Sequence, residues 1–455
     1  MRRSSFATIL RRVAAAWLPA ALLAMAAAQA AETTPPADDP EVAELLESLE
    51  PNTGLYLPKF KTAGEGRDLV SGFSTKGPDV RDYGNKLAYA PDRGTGMYCG
   101  ANHGAPHRLN DVSEFHLGSN TWRLLLPPAG GDHGRVDRAH GAIRQNKDVE
   151  QNKAFLREWY TEHVAVKDGY LQTTANGGPV GPWHTWDGIA YDAAAKKLLW
   201  AVLDTDEVLK SKVRAYAEHT GQDAGKLLEQ FRPGTGLYAY DPAANRWSRA
   251  LTDGPRPYLR GMGGSLIYVP EWKKTIWYCA AQNVSPNDFA MWTYDAIANK
   301  WEDLKPNGGR SLFDVVHKDK AAPSSEVQMA YSPKHKKLVA VLGDSTYVYD
   351  LDRNEWKGAV VDERNQAHDA STVFSYDSVN DVFLFLNRLK GQYDPAVELR
   401  AFRLDTNKWE TLSPKGELVR KVPYGGLSSY FDPAHNVFVV YNDTDRMWVY
   451  RHATR

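Results

Sequence analysis

Tyr240-Asp-Pro-Ala-Ala-Asn-Arg-Trp247 is the stretch on which the fold turns. It joins an aromatic to an Asn five positions on and to a Trp seven positions on. The same spacing recurs at Phe115/Asn120/Trp122, Tyr294/Asn299/Trp301, Tyr349/Asn354/Trp356 and Phe402/Asn407/Trp409. From Trp247 onward the steps between tryptophans are 54, 55 and 53 residues, a period that signals a stacked or radial array. An Asn two residues before the Trp suits a hairpin turn that needs positive φ. The Trp then opens an outer strand and is expected to pack between neighbouring units.

Each unit also has an earlier half that ends one strand and begins the next. These halves read Leu87-Ala-Tyr-Ala-Pro, Ile189-Ala-Tyr-Asp, Leu266-Ile-Tyr-Val-Pro, Met329-Ala-Tyr-Ser-Pro, Phe374-Ser-Tyr-Asp and Ser429-Tyr-Phe-Asp-Pro. A second apolar run follows each, such as Leu338-Val-Ala-Val-Leu. There are six early halves and five Asn-x-Trp ends, and the sixth unit stops near Trp448 with too little chain for a fourth strand. Four short strands per unit, six times around a channel, predict an all-β, six-bladed β-propeller with short helical insertions on one face. The missing strand is expected from the N-terminal segment within Leu55–Ser74, which ties first blade to last and removes open sheet edges. Seven blades is the alternative, if residues 127–183 hide strands.

Leu109-Asn-Asp-Val112, followed by Phe115 and Asn120-x-Trp122, resembles the kelch pattern of third strand, turn and fourth strand, and residues 240–247 resemble it more closely still. The pairs Gly263-Gly264 and Gly425-Gly426 are similar to the family's glycine pairs but precede the first strand instead of ending the second. The resemblance to kelch-type propellers spans roughly residues 80–451 and implies a fold that hosts binders and enzymes alike.

Residues 1–30 read as a signal peptide: Arg2, Arg3, Arg11 and Arg12, an apolar run over 13–27, and Ala28-Gln29-Ala30. The expected location is therefore periplasmic or secreted. Residues 31–54 read as a linker with a short helix opened by Asp39-Pro40, and 55–455 as one propeller with insertions at 127–183 and 205–233. Helices are expected around 149–164 and where Val208, Leu209, Val213, Tyr216, Leu227, Leu228 and Phe231 fall at helical spacing. Without the signal peptide the chain carries 51 basic and 56 acidic residues, a net charge of −5. It has no basic blocks, so nucleic acid is not an expected partner. No later apolar run is long enough for a membrane span. Cys99 and Cys279 are the two cysteines, an entire blade apart, and read as free thiols.

Both insertions leave from one end of the second blade, and a ring elaborated on one face is expected to use that face. Seven and eight positions before each first-strand aromatic, the residues ring the channel mouth on that side. They include Arg81, Asp82, Trp183, His184, Arg260, His368 and Asp369, with Trp186, Asp187 and Glu326 close by. Charged, imidazole and aromatic groups converging there suit a carbohydrate or a protein ligand, with an exposed Trp stacking on a sugar ring. His103, His107, His133 and His140, with Asp132 and Asp137, are candidate metal ligands, but their spacings match no metal motif, and no metal or cofactor is assigned. Nucleophile elbow, zincin and P-loop motifs are absent, as is the Tyr-His pair that copper radical oxidases of this fold require. The alternative is an enzyme on acidic sugars, of lyase or mutarotase type. It would use His184 or His368 and Glu326 for acid-base work and Arg260 or Arg81 to neutralise a carboxylate.

Overall fold

The motif that recurs in the sequence is a tight hairpin with every part in use. Tyr240 faces Trp247 across the third and fourth strands, as Phe115 faces Trp122, Tyr294 Trp301, Tyr349 Trp356 and Phe402 Trp409. Asn120, Asn245, Asn299, Asn354 and Asn407 all take positive φ, between 47° and 54°. In three copies the tyrosine hydroxyl donates to the Asn Oδ1: Tyr240 at 2.7 Å, Tyr294 at 2.8 Å and Tyr349 at 2.5 Å. Asp241 Oδ1 accepts from the Ala243 and Ala244 amides and closes the turn. The aromatic thus holds the residue that makes the turn, which accounts for the spacing of five.

Each Trp then wedges against the preceding blade. Trp247 Nε1 donates to Asn110 O at 2.8 Å, and Trp409 Nε1 to Thr346 Oγ1 at 2.8 Å. The Trp356 ring lies 5.6 Å from that of Tyr278, and Trp122 lies 5.2 Å from Tyr441.

The structure is a computed structural model, describing residues 36–78, 84–100, 109–130, 133–182, 185–202, 206–231, 236–250, 254–255, 257, 264–278, 291–307, 327–365, 372–388, 397–420, 426–442 and 444–452. Six antiparallel sheets form a ring. Their first strands are Ala88–Ala90, Ile189–Asp192, Ser265–Val269, Gln328–Ser332, Val373–Asp377 and Ser428–Asp432, each at one edge of its sheet. Each contacts the next, and the sixth contacts the first, so the ring closes as a six-bladed β-propeller.

The closing strand is N-terminal, but it is Thr53–Tyr56, paired antiparallel with Met447–Arg451, and begins two residues before the expected segment. The apolar signal starts at Leu55, whereas the pairing starts where Trp448 demands room. A Cβ on Gly54 would lie 2.6 Å from the Trp448 ring. Lys61–Ala63, within the expected segment, instead adds a parallel strand outside Thr121–Leu126 of the first blade. Upstream, helix α1 (Pro40–Ser48) is capped by Asp39 and buries Val42 and Leu46. Arg451 of the last strand donates to Leu46 O and Leu49 O at its other end. A one-turn helix, α2 (Phe73–Lys76), completes the N-terminal crossing.

Residues 127–183 hold no seventh blade. They contribute helices α3 (His133–Arg144) and α4 (Val149–His163) and one hairpin, Val164–Lys167 with Tyr170–Thr173. The second insertion forms α5 (Asp206–Thr220) and α6 (Ala224–Gln230). The two insertions share a hydrophobic core that includes Leu156, Trp159, Tyr160, Val213, Leu227 and Phe231. They leave blade two where its first strand begins and its second ends, which in antiparallel pairing is the same end. Cys99 is buried, and Cys279 lies outside the described residues.

Candidate functional site

The six first strands draw together just before they begin, at the end of the ring that carries the insertions. Short parallel bridges join Gly84 to Trp186, Lys86 to Ser429 and Asp187 to Ser265. Across this convergence lies a buried ion pair, with Lys86 Nζ 3.0 Å from Asp187 Oδ2. Lys86 Nζ also donates to Leu266 O at 2.9 Å and to Asp187 O at 3.3 Å, so its three protons are used. Asp187 Oδ2 accepts the Ser265 hydroxyl and the Met329 amide, the latter at 3.2 Å. Gln328 Nε2 donates to Thr372 O and Oγ1, and Asn85 Nδ2 to the same carbonyl. Ser428 Oγ donates to Gly84 O. All six blades therefore meet in one polar layer that closes the channel.

Burial dominates the electrostatics of the pair. It pushes the Lys86 ammonium down and the Asp187 carboxyl up, and each partner's charge pulls the other back toward ionisation. The layer is a neutral, hydrogen-bonded floor.

Of the residues expected at the mouth, Arg81, Asp82, Trp183, His184, Arg260, Glu326, His368 and Asp369 lie outside the described residues, and with them all five catalytic candidates. Their chain neighbours Gly84, Thr185, Gly264 and Val327 are buried at the channel. Asp187 and Trp186 are described, and their roles differ from expectation. Asp187 is 3% exposed and spent on the floor. Trp186 is also 3% exposed, with φ of 49°, and offers no open face to a sugar ring. Trp186 belongs to the inter-blade bridge with Gly84, and its backbone carbonyl accepts from Asn85 N.

The histidine constellation does not assemble among the described residues. His103, His107 and Asp132 lie outside them, as does the His133 side chain at the start of α3. His140 Nε2 lies 3.3 Å from Tyr160 OH, and its ring is 5.4 Å from that of His219, inside the core shared by the insertions. Burial pushes His219 down, toward the neutral imidazole. His140 is a packing residue here, held by aromatic neighbours. Among the described residues no group of three or more His, Cys, Asp or Glu could hold a metal ion.

The insertions carry a cleft of their own, about 460 Å³, between α4 and the segment before α3. Arg135 lies 4.0 Å over the Phe155 ring, and Trp159 Nε1 donates to Gly130 O at the cleft wall. Glu158, Glu162 and His163 complete its polar side.

Lys86 and Ser265 escaped sequence reasoning. Lys86 stands three positions before Tyr89, where the other blades carry Gly188, Ser265, Gln328, Val373 and Ser428. A lysine in that small or neutral column was the available signal. No protein-family model and no curated protein matches the chain.

Proposed function

We propose that this propeller is an exported, kelch-type binding protein that takes a polar ligand, carbohydrate or protein, on its elaborated face. The observation that carries the reading is the fusion of both insertions into one folded cap at the end of the ring where the polar floor closes the channel. A floor cross-linked by six blades cannot rearrange cheaply, so groups anchored at its margin are held in place before a ligand arrives. Preorganisation of this kind raises affinity by lowering the ordering cost on binding. In sequence, Arg81, Asp82, Trp183, His184, Arg260, Glu326, His368 and Asp369 stand within one or a few residues of anchored neighbours, and they are the residues proposed to meet the ligand. Export, and with it a periplasmic or extracellular location, is proposed on the N-terminal pattern of residues 1–30.

The test is calorimetric titration of the mature protein against a glycan panel, with every binding glycan assayed for turnover. Trp183→Ala and Arg260→Ala are expected to weaken binding about 30-fold, the equivalent of ~2 kcal/mol for a central anchor, without lowering the melting temperature. Wild-type affinity in both variants removes the mouth as the site. Turnover of an acidic glycan, lost in His184→Ala or Glu326→Gln, replaces binding with the lyase or mutarotase reading.

A further inference from the structure

On the other side of the floor the channel opens again, into a cavity of about 470 Å³ at the face away from the insertions. Its wall is six-fold. The aromatic next to last in each first strand forms a ring: Tyr89, Tyr191, Tyr268, Tyr331, Tyr376 and Phe431. Small or apolar residues such as Ala88, Ala190 and Ala330 lie between this ring and the floor, and Pro91, Pro270, Pro333 and Pro433 form the lip. The volume falls in the range of small-molecule sites, a few hundred to a thousand Å³.

Two features define what such a cavity can hold. The first is backbone. Every first strand is the edge of its sheet, so alternate residues turn their N–H and C=O groups away from the second strand and toward the channel. Six such edges supply donors and acceptors all around an otherwise apolar wall, and buried backbone groups need partners. The second is the state of the phenols. Tyr331 OH donates to Glu271 Oε2 at 2.7 Å and Tyr376 OH to Asp381 Oδ1 at 2.8 Å, while Tyr191 bonds to Asp92. Each hydroxyl is thereby fixed as a donor to a carboxylate, with its lone pairs left to accept. Burial, with Asp432 nearby, pushes Tyr89 up to about 12, so that phenol stays protonated as well.

Charge complementarity excludes ionic occupants. An anion would meet phenol oxygens backed by carboxylates, and the ammonium at the floor has already spent its three protons. A cation would meet hydroxyls whose protons point away to carboxylates, and one of those carboxylates, Asp381, is already paired with Lys334 and His335. What remains is a neutral molecule with apolar faces and many hydroxyls, which can lay its C–H faces on the tyrosines and its hydroxyls on the strand edges.

We propose that this second mouth is a binding site for a neutral saccharide of one or two rings, separate from any site on the elaborated face. The site is independent of the reading above, because no residue of the insertions lines it.

The experiment is calorimetric titration of the mature protein with glucose, galactose, N-acetylglucosamine, cellobiose and maltose, set against glucuronate and choline. Two variants report on the cavity. Ser378→Trp places a bulky ring at an exposed position on the lip, and Tyr268→Ala removes a half-exposed wall of the ring. At least one neutral sugar is expected to bind, with affinity falling tenfold or more in each variant while the melting temperature holds. Trp183→Ala, at a position proposed for the elaborated face, is expected to leave that affinity unchanged. Absence of binding by every neutral sugar overturns the proposal, as does tighter binding of glucuronate or choline. Binding that survives Ser378→Trp and Tyr268→Ala but fails in Trp183→Ala also overturns it, and leaves the elaborated-face reading standing. Loss in the cavity variants alone has the reverse meaning.

Discussion

Cutting either half of the Lys86–Asp187 pair should harm the fold more than removing both halves. At 3.0 Å the attraction is worth ~5–6 kcal/mol if the effective dielectric is about 20. Desolvating the two ions costs several kcal/mol each, so the intact pair contributes little net stability. Lys86→Met forfeits the attraction but keeps the carboxylate in a site 3% exposed, with only the Ser265 hydroxyl and the Met329 amide to hold it. Asp187→Asn does the converse and leaves a buried ammonium on two carbonyls. Each single variant should cost about 3–5 kcal/mol. The double variant carries no charge and leaves some carbonyls short of a donor, for an expected cost of about 1–3 kcal/mol.

Urea denaturation at constant m value measures all three. A pH series adds a second check with a definite sign. Burial already raises the Asp187 carboxyl, and loss of Lys86 removes the charge that pulls it down. A folded-state value above the unfolded one means stability that is full below the unfolded value and lost as pH rises through the folded one. The deficit of Lys86→Met should therefore shrink as pH is lowered from 7 toward 4. Single variants that cost under about 1 kcal/mol, or effects additive within about 0.5 kcal/mol, would refute a jointly buried ion pair.

Three further perturbations follow from the ring. Deleting residues 31–75 removes the Thr53–Tyr56 strand and the Arg451 contacts to α1, and should lower the melting temperature sharply; a truncated protein that melts like the mature chain rules out closure by this strand. Trp301→Ala empties an inter-blade wedge and should cost about 3–5 kcal/mol by urea titration, with a value below about 1 kcal/mol contradicting the wedge role. Burial draws the Asp381 carboxyl up, but hydrogen bonds from Lys334, His335 and Tyr376 prevail and hold it at about 2. Its stabilisation is present above pH ~3.9 and fades as pH falls toward 2, so Asp381→Asn should lose stability at pH 7 and match wild type near pH 2; an equal deficit at both pH values contradicts the assignment.

The parts of this molecule that were legible in its sequence are those whose causes are local. Asn245 and Trp247 sit seven residues or fewer from Tyr240, and turn chemistry plus one tyrosine hydroxyl dictates the spacing among the three. Such a signal survives repetition, and its five copies, set beside the six early halves, yield the number of blades. Helices α4, α5 and α6 were legible for the same reason, since Leu156, Trp159 and Tyr160 fall on one face of a single turn-by-turn pattern, whereas α3 was not read from the sequence. Gly54 shows the limit. It belongs to the closing strand because Trp448, far away in sequence, needs the space of a missing Cβ, and no apolar pattern records that need.

The floor lay beyond that limit altogether. Lys86 and Asp187 are separated by 101 residues, and Ser265 stands 78 residues beyond Asp187. Nothing near any of them in the chain announces the other two. Asp187 was expected at the mouth, and Trp186 open to a sugar ring, because both follow closely on the aligned positions Trp183 and His184. Both are drawn inward because the ring narrows at that level, and narrowing is a property of six blades together. A repeat dictates each blade through contacts a few residues long, but the channel belongs to no single repeat. Polar residues that break the column at the convergence, as Lys86 does, are the sequence trace of a shared centre. The aromatics that do not break their column, Tyr89 through Tyr376, look like core in one dimension. They become a wall only when six of them face one axis, so the second mouth is visible in the ring and hidden in the chain.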